Sequence, residues 1–376
     1  MSLKQLLTLK LESDRMIYLD LLRIVSSYMI IVYHFQQQLD LGPWASEAVR
    51  VRLEGFALGV DLFFFLSGFV IASVYTGRIA GFGGFGQFMA KRVARLAPLH
   101  WATFAIFAVI GVLNAGGHLP SNHPEIYDAH CALPNLLLLH AFGVCSTLTF
   151  NYVSWSISAE MGMYLLFPLL AVIVARRWLG LPLALATIAG LTLVSRRDGW
   201  SWLEWTFDGG VVRALPTFML GMISFGYRSS LARLPRAAWW LGVACCVFLA
   251  GCMLEWPKLW LLPVVYAVAL LGIAASEQPS SRWVRRLAPL GQLTYSLYML
   301  HPLVQAVVLT GIGATLLHFS GTSMNLFVLL GALLMLPIAW ASLVLFERPA
   351  RRWLTRVMLG RRARPEPAMF TPDSRW

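Results

Sequence analysis

Charged side chains are scarce in this chain of 376 residues, because Asp, Glu, Lys and Arg together make up 13%. A soluble domain of ordinary composition carries about 25%, so this scarcity excludes a water-soluble globular protein. The hydrophobic fraction of 58% and the mean hydropathy of +0.66 agree with that exclusion. We therefore predict an all-α polytopic membrane protein, with one transmembrane domain over residues 1–350 and a basic, disordered cytoplasmic tail over 351–376.

Cysteine is sparse as well. There are five, with no CxxC pair and no Cys/His spacing of the kind that holds zinc, so we expect no metal. Cys245, Cys246 and Cys252 lie in one apolar run and are predicted to be small core residues. Cys131 and Cys145 fall in or beside one extramembrane loop, where a disulfide requires an oxidising compartment. The sequence leaves the redox state of this pair open.

Long apolar runs recur along the chain and predict about ten membrane-spanning helices. Of the 30 Lys and Arg residues, 23 fall on the N-terminal side of the membrane and 6 on the opposite side. Cations accumulate in cytoplasmic loops, so both termini are predicted to be cytoplasmic. The same distribution explains the net charge of +12 without a nucleic-acid partner. The longest predicted outer loop, residues 114–152, has no Lys or Arg. The predicted spans are residues 17–36, 57–75, 96–113, 153–175, 178–194, 212–227, 238–254, 259–275, 290–312 and 326–346.

The first predicted span carries three residues that a simple membrane anchor avoids, Asp20, Arg23 and His34. Ionisable groups inside a span are costly and are typical of functional sites. Arg23 and His34 are eleven residues apart, which corresponds to about 16 Å of helix rise. The cation is therefore expected in the inner half of the span and the imidazole near its outer end.

Several short motifs follow one another in a recognisable order. Together they resemble the membrane acyltransferase family 3, and the resemblance runs from about residue 18 to residue 352. The motifs are the Arg-x10-His spacing of Arg23 and His34, GVDLFFFLSGF at 59–69, RVARLAP at 92–98, WSISAE at 155–160, SLYMLH at 296–301 and ERP at 347–349.

The resemblance implies transfer of an acyl group, usually acetyl, from cytoplasmic acyl-CoA to a hydroxyl of an extracytoplasmic polysaccharide or glycolipid. It implies a multi-pass protein of the bacterial inner membrane, in the form that lacks an extra soluble domain. The expected partners are acyl-CoA, the glycan acceptor and membrane lipids. The alternative is a proton-coupled transporter or exporter of glycan or acyl intermediates, with the same ionisable residues as a proton relay. The absence of an internal repeat disfavours that alternative.

His34 is the predicted catalytic residue, since an imidazole titrates near neutrality and can take a proton from a sugar hydroxyl or carry the acyl group itself. Glu160 and Asp61 begin their helices from the outer side, so we expect all three side chains in one layer of the membrane. The alternatives are a helix-packing role for His34 and a helix cap or ion pair for Asp61.

Arg92 and Arg95 are predicted to hold the phosphates of CoA, because guanidinium groups suit phosphate and an i, i+3 spacing points them the same way. The alternative is simple anchoring at the cytoplasmic face. Arg23 is predicted either to contact phosphate or to pair with Asp20. His301 either lines the acyl path or makes structural hydrogen bonds.

Overall fold

The structure is a computed structural model that describes residue 9 and residues 16–79, 81–119 and 123–360. Within these residues every regular element is a helix, which confirms the all-α prediction. The α-helices are α1 (Ile17–Phe35), α2 (Pro43–Leu53), α3 (Gly59–Tyr75), α4 (Gly81–Ala115), α5 (Ala132–Leu136), α6 (Trp155–Ala175), α7 (Arg177–Asp198), α8 (Gly210–Gly226), α9 (Arg228–Leu231), α10 (Ala237–Met253), α11 (Lys258–Ser276), α12 (Arg282–Leu287), α13 (Thr294–Leu303), α14 (Gly321–Ala341) and α15 (Arg348–Leu359).

Two π-helices continue the last long helices, Val304–Leu316 after α13 and Ser342–Glu347 after α14. Short 3-10 turns complete the described helical structure, at Gln36–Gln38, Glu54–Leu58, Pro124–Tyr127, Ala129–Cys131, Tyr152–Ser154, Trp202–Glu204 and Ala288–Leu293.

A helix covers each of the ten predicted spans. Eight helical segments in the described part of the chain are long and apolar enough to cross a membrane. The other two, α8 and α10, are apolar but shorter. The protein is therefore a multi-pass membrane protein, while the count of ten spans and the cytoplasmic placement of both termini stay predictions.

Three stretches differ from the sequence-based expectations. Helix α2 occupies part of a predicted loop, and α4 begins at Gly81 rather than near residue 96. The expected disorder from residue 351 onward is not seen as far as Leu359, because α15 covers that stretch. An alternation of basic and apolar residues at helical spacing supports α15. Residues 361–376 lie outside the described part of the chain.

The described part of the chain divides into two compact units, and the domain boundary at residue 350 stays a prediction. Described residues within Met1–Leu66 and Tyr227–Leu345 form the first unit, and those within Ser67–Gly226 and Phe346–Trp376 form the second.

In the first unit, α1 packs against α11, α13 and the 3-10 turn Ala288–Leu293. Small residues allow the close approach, which is the usual basis of helix association in membranes. A Cβ atom built on Gly272 would lie 2.5 Å from Leu22 Cδ1, and one built on Gly291 would lie 2.7 Å from the backbone oxygen of Asp20. The apolar core of this unit consists of Ile24, Ile31, Phe35, Leu293, Leu297, Val304, Leu309, Met324, Val328, Met335 and Ala339.

In the second unit, α6 packs against α8, and α4 packs against α15. The backbone of α3 meets that of α8 at Gly68, where an added Cβ would lie 2.1 Å from the carbonyl oxygen of Phe218. The small residue at this position of the motif at 59–69 therefore permits close helix packing.

Candidate active site

His34 lies in the last turn of α1, in the first unit. Its ring stacks on that of His301 from α13, with the centroids 5.1 Å apart and the planes inclined by 28°. The Gln305 side chain, one turn beyond His301, donates a hydrogen bond from Nε2 to the backbone oxygen of His34 at 3.1 Å. The end of α1 is thus held by both a ring contact and a hydrogen bond.

An aromatic row extends from this imidazole pair. The His301 ring is 5.8 Å from the ring of Tyr298, which is 6.1 Å from the ring of Phe63. His301 is fully buried, and its Nδ1 lies 3.3 Å from the carbonyl oxygen of Leu297. The structure therefore shows the hydrogen-bonding role of His301 and also places its ring against the predicted catalytic imidazole.

Asp61 lies in the first turn of α3 and is completely buried in the first unit. A buried carboxylate is costly, and inside a membrane-spanning segment it is typical of a functional site. Asp61 and His34 share the first unit, whereas Glu160 belongs to the second. A common layer for all three residues stays a prediction.

Glu160 is held by two hydroxyl groups in the second unit. Its Oε1 accepts a hydrogen bond of 2.6 Å from Ser67 Oγ and another from the hydroxyl of Tyr164. The two hydroxyl oxygens are themselves 3.3 Å apart. Glu160 and Tyr164 are four residues apart on α6 and so lie on one helix face. This spacing is visible in the sequence, but Ser67 is 93 residues away and nothing in the sequence signals its contact.

Arg92 is buried among aromatic rings rather than facing solvent. Its Nη2 donates to the hydroxyl of Tyr75 at 3.0 Å, and its Cζ is 5.2 Å from the Tyr75 ring centroid and 6.0 Å from that of Tyr164. Such distances are typical of cation–π contacts. Arg95, one turn later on α4, is exposed. The two arginines therefore differ in exposure, and their predicted role as phosphate ligands stays a prediction.

Tyr164 connects two residues that the sequence analysis placed at different depths. Its hydroxyl bonds the carboxylate of Glu160, while its ring lies against the guanidinium of Arg92. The predicted phosphate ligand and the predicted catalytic carboxylate are thus separated by a single side chain. Arg95 also lies near enough to interact electrostatically with Tyr164.

Arg23 forms an ion pair with Asp20, with Nη1 2.7 Å from Oδ1 and both side chains 19% exposed. This is one of the two roles that the sequence left open. The two residues are one turn apart on α1, and the closely packed Gly291 backbone covers the same turn.

A comparison with known protein families finds one family whose model matches this chain. The acyltransferase 3 family model, described as an acyltransferase domain, matches residues 16–344, which is nearly the whole chain. The protein belongs to that family and is a membrane O-acyltransferase. No curated protein and no solved structure matches the chain.

Proposed function

We propose that the protein transfers an acetyl group from cytoplasmic acetyl-CoA to a hydroxyl of an extracytoplasmic polysaccharide or glycolipid, in the inner membrane of a bacterium. The observation that carries the proposal is the contact of the half-buried His34 ring with His301, at a helix end fixed by Gln305. A base needs a fixed orientation to take a proton in the transition state. The family membership supplies the reaction class.

The chemical step follows from a base at this position. The acceptor hydroxyl attacks the thioester carbonyl, a C–O bond forms and the C–S bond breaks. His34 takes the proton of the hydroxyl and returns it to the departing CoA thiolate. We assign to Asp61, which is buried in the same unit, the role of the carboxylate that compensates the charge of His34. Glu160, held by two hydroxyl donors, serves as a second carboxylate of fixed orientation.

The three arginines of the proposed donor site have different roles. Arg95 is exposed and offers its guanidinium to the phosphates of CoA. Arg92 is already hydrogen-bonded to Tyr75 and packs on aromatic rings, so its task is to hold the tyrosines near Glu160. Arg23 is a further phosphate ligand whose charge is partly balanced by Asp20.

The decisive experiment is acetyl transfer with radiolabelled acetyl-CoA and surface glycan, using purified protein in lipid nanodiscs. We expect His34→Ala to abolish covalent labelling of the glycan, and His130→Ala, which alters an exposed histidine, to leave it unchanged. Equal labelling by wild type and His34→Ala contradicts the role of His34. Movement of label across the membrane of proteoliposomes without transfer identifies a transporter instead.

The donor site has its own test. Arg95→Ala is expected to raise KM for acetyl-CoA about tenfold or more, as the loss of a charge-assisted hydrogen bond of 1.5–3 kcal/mol implies. Lys91→Ala changes a cation four residues earlier on the same helix and serves as the matched control. An unchanged KM for Arg95→Ala removes that residue from the donor site.

A further inference from the structure

The chain turns back along α4 after that helix ends at Ala115. Tyr127 packs at the level of Gly111, where an added Cβ would lie 2.8 Å from Tyr127 Cβ. Further along the chain, the backbone oxygen of Asn135 lies 2.8 Å from His100 Nε2. From Gly111 to His100 there are eleven residues of helix, or about 16 Å. Residues 127–151, called here the returning segment, thus run back beside α4.

Other contacts confirm the depth of this return. Trp101 Nε1 donates to the carbonyl oxygen of Leu136 at 2.9 Å, and Asn151 Nδ2 donates to Thr103 Oγ1 at 3.1 Å. All these partners on α4 fall within the predicted span 96–113. The returning segment therefore passes the midpoint of that predicted span.

Several polar groups of the returning segment point inward and are paired there, although Asn135 Oδ1 and His140 Nδ1 are buried without a hydrogen-bond partner among the described residues. Asn135 Nδ2 donates to the Cys131 carbonyl and to Thr149 Oγ1, each at 2.8 Å. Ser158 Oγ donates to the carbonyl of Leu138 at 2.7 Å and accepts from the amide of Ala141 at 3.0 Å. Irregular backbone at membrane depth is tolerated only where protein satisfies its polar groups in this way.

The outer side of the segment is apolar. No Asp, Glu, Lys or Arg occurs between Asp128 and Glu160. Leucines and other large apolar side chains are nevertheless exposed, to a degree similar to Leu169 of the predicted membrane-spanning helix α6, which is 59% exposed. The large apolar side chains exposed on the segment are Leu133 at 62%, Leu136 at 43%, Leu137 at 55%, Leu139 at 38%, Phe142 at 41% and Val144 at 57%.

Two further features fix the shape of the segment. Cys131 and Cys145 form a disulfide, with their Cα atoms 5.8 Å apart, so the pair left open by the sequence is joined. Leu138 and Phe150 adopt left-handed backbone conformations, with φ of 58° and 55°. Such conformations cost about 1–2 kcal/mol per residue and persist where the surroundings enforce them. Both side chains are buried, and the Phe150 ring packs on that of Phe104 at 4.7 Å.

We propose that the returning segment is a re-entrant loop whose exposed leucine-rich side contacts the acyl chains of membrane phospholipids. The partners of its inward polar groups, the lack of Asp, Glu, Lys and Arg after Asp128 and its depth along α4 all fit a hydrocarbon neighbour. The inference is independent of which acyl group or acceptor the enzyme uses.

Nitroxide accessibility in nanodiscs tests this directly. The label is placed at Leu137 or Val144 of full-length protein in which the three free cysteines are replaced by alanine and the disulfide is kept. We expect high collision rates with oxygen and low rates with a water-soluble nickel chelate, equal to those of a label at Leu169. A label at Glu125, which is exposed before the segment begins, provides the aqueous reference.

Two outcomes overturn the proposal. Accessibility to the nickel chelate equal to that at Glu125 means that the segment lies in water. Low accessibility to both reagents means that a protein partner covers it. Hydroxyl-radical footprinting of the unlabelled wild-type protein provides a second measurement that does not depend on the variants folding. In that experiment Leu133 and Leu137 should be oxidised no more than Leu169.

Discussion

Gly68 offers the sharpest test of how the second unit is packed. A Cβ atom at this position would lie 2.1 Å from the carbonyl oxygen of Phe218, whereas real Cβ contacts are essentially never closer than 3.0 Å. The obstacle is backbone, so a change to alanine must push α3 and α8 apart by about 1 Å. Overpacking of this kind costs about 1–3 kcal/mol, since tightly packed interiors relax poorly.

The displacement also reaches the neighbouring hydroxyl. Ser67 Oγ is 2.6 Å from Glu160 Oε1, and a shift of about 1 Å takes this pair to the limit of hydrogen bonding. Gly68→Ala is therefore expected to lower both stability and acyl transfer. At about 2–4 °C per kcal/mol for a unit of this size, the unfolding midpoint should fall by several degrees.

The assay is thermal unfolding in nanodiscs, followed by fluorescence, together with acetyl transfer on the same preparations. Gly190→Ala is the matched control, because it lies within α7 and an added Cβ meets nothing within 4 Å. Removal of that helix-interior glycine should be neutral or stabilising by about 0.5–1 kcal/mol. If Gly68→Ala melts with wild type while retaining full activity, the close approach of α3 and α8 is wrong.

Three other changes have defined outcomes. Tyr164→Phe removes a hydrogen-bond donor from the Glu160 carboxylate, so the free energy of unfolding should fall by about 1 kcal/mol and acyl transfer should slow. An unchanged melting temperature together with an unchanged rate would show that this hydroxyl contributes nothing. Joint replacement of Cys131 and Cys145 by serine should lower the free energy of unfolding by about 3 kcal/mol, given the length of the loop that the disulfide closes. Reduction of the wild-type protein should lower its melting temperature by the same amount. A double variant as stable as the oxidised wild type contradicts this prediction. Gln305→Leu removes the hydrogen bond to the backbone oxygen of His34, so kcat should fall while KM for acetyl-CoA stays constant. A change in KM alone contradicts a positioning role for Gln305.

Much of the helical framework follows from hydropathy. Each predicted span contains a helix because about twenty apolar residues in succession have few alternatives in a bilayer. The same rule identified His34 as unusual, since an imidazole in such a run is costly. Hydropathy does not report how the helices contact one another, and the two compact units were therefore not predicted.

The details of the site depend on contacts between distant residues. Ser67 and Glu160 are brought together by helix packing, which local periodicity does not encode. Arg92 was predicted as a phosphate ligand from its i, i+3 spacing with Arg95, and this spacing does not report the burial of either side chain. The burial of Arg92 against Tyr75 is set by the direction in which α4 turns it, and α4 begins well before the apolar run.

The path of the predicted outer loop depends on similar contacts between distant residues. A span was predicted from each apolar run of sufficient length, and residues 129–151 are interrupted by Pro134, Gly143 and several polar side chains. The interruptions indicate a loop, but the absence of charge allows that loop to return along α4. Composition alone did not distinguish a loop outside the membrane from a loop that returns along α4.

The π-helix Val304–Leu316 has a consequence for how this protein tolerates changes of chain length. A π-turn closes i→i+5 hydrogen bonds, so it accommodates one more residue than the α-turn it replaces. Deletion of a residue from an ordinary α-helical span rotates everything beyond it by about 100° and misdirects every side chain that follows. Within Val304–Leu316 the same deletion is absorbed by reversion of one turn to α geometry, so the helical phase of the later residues is preserved.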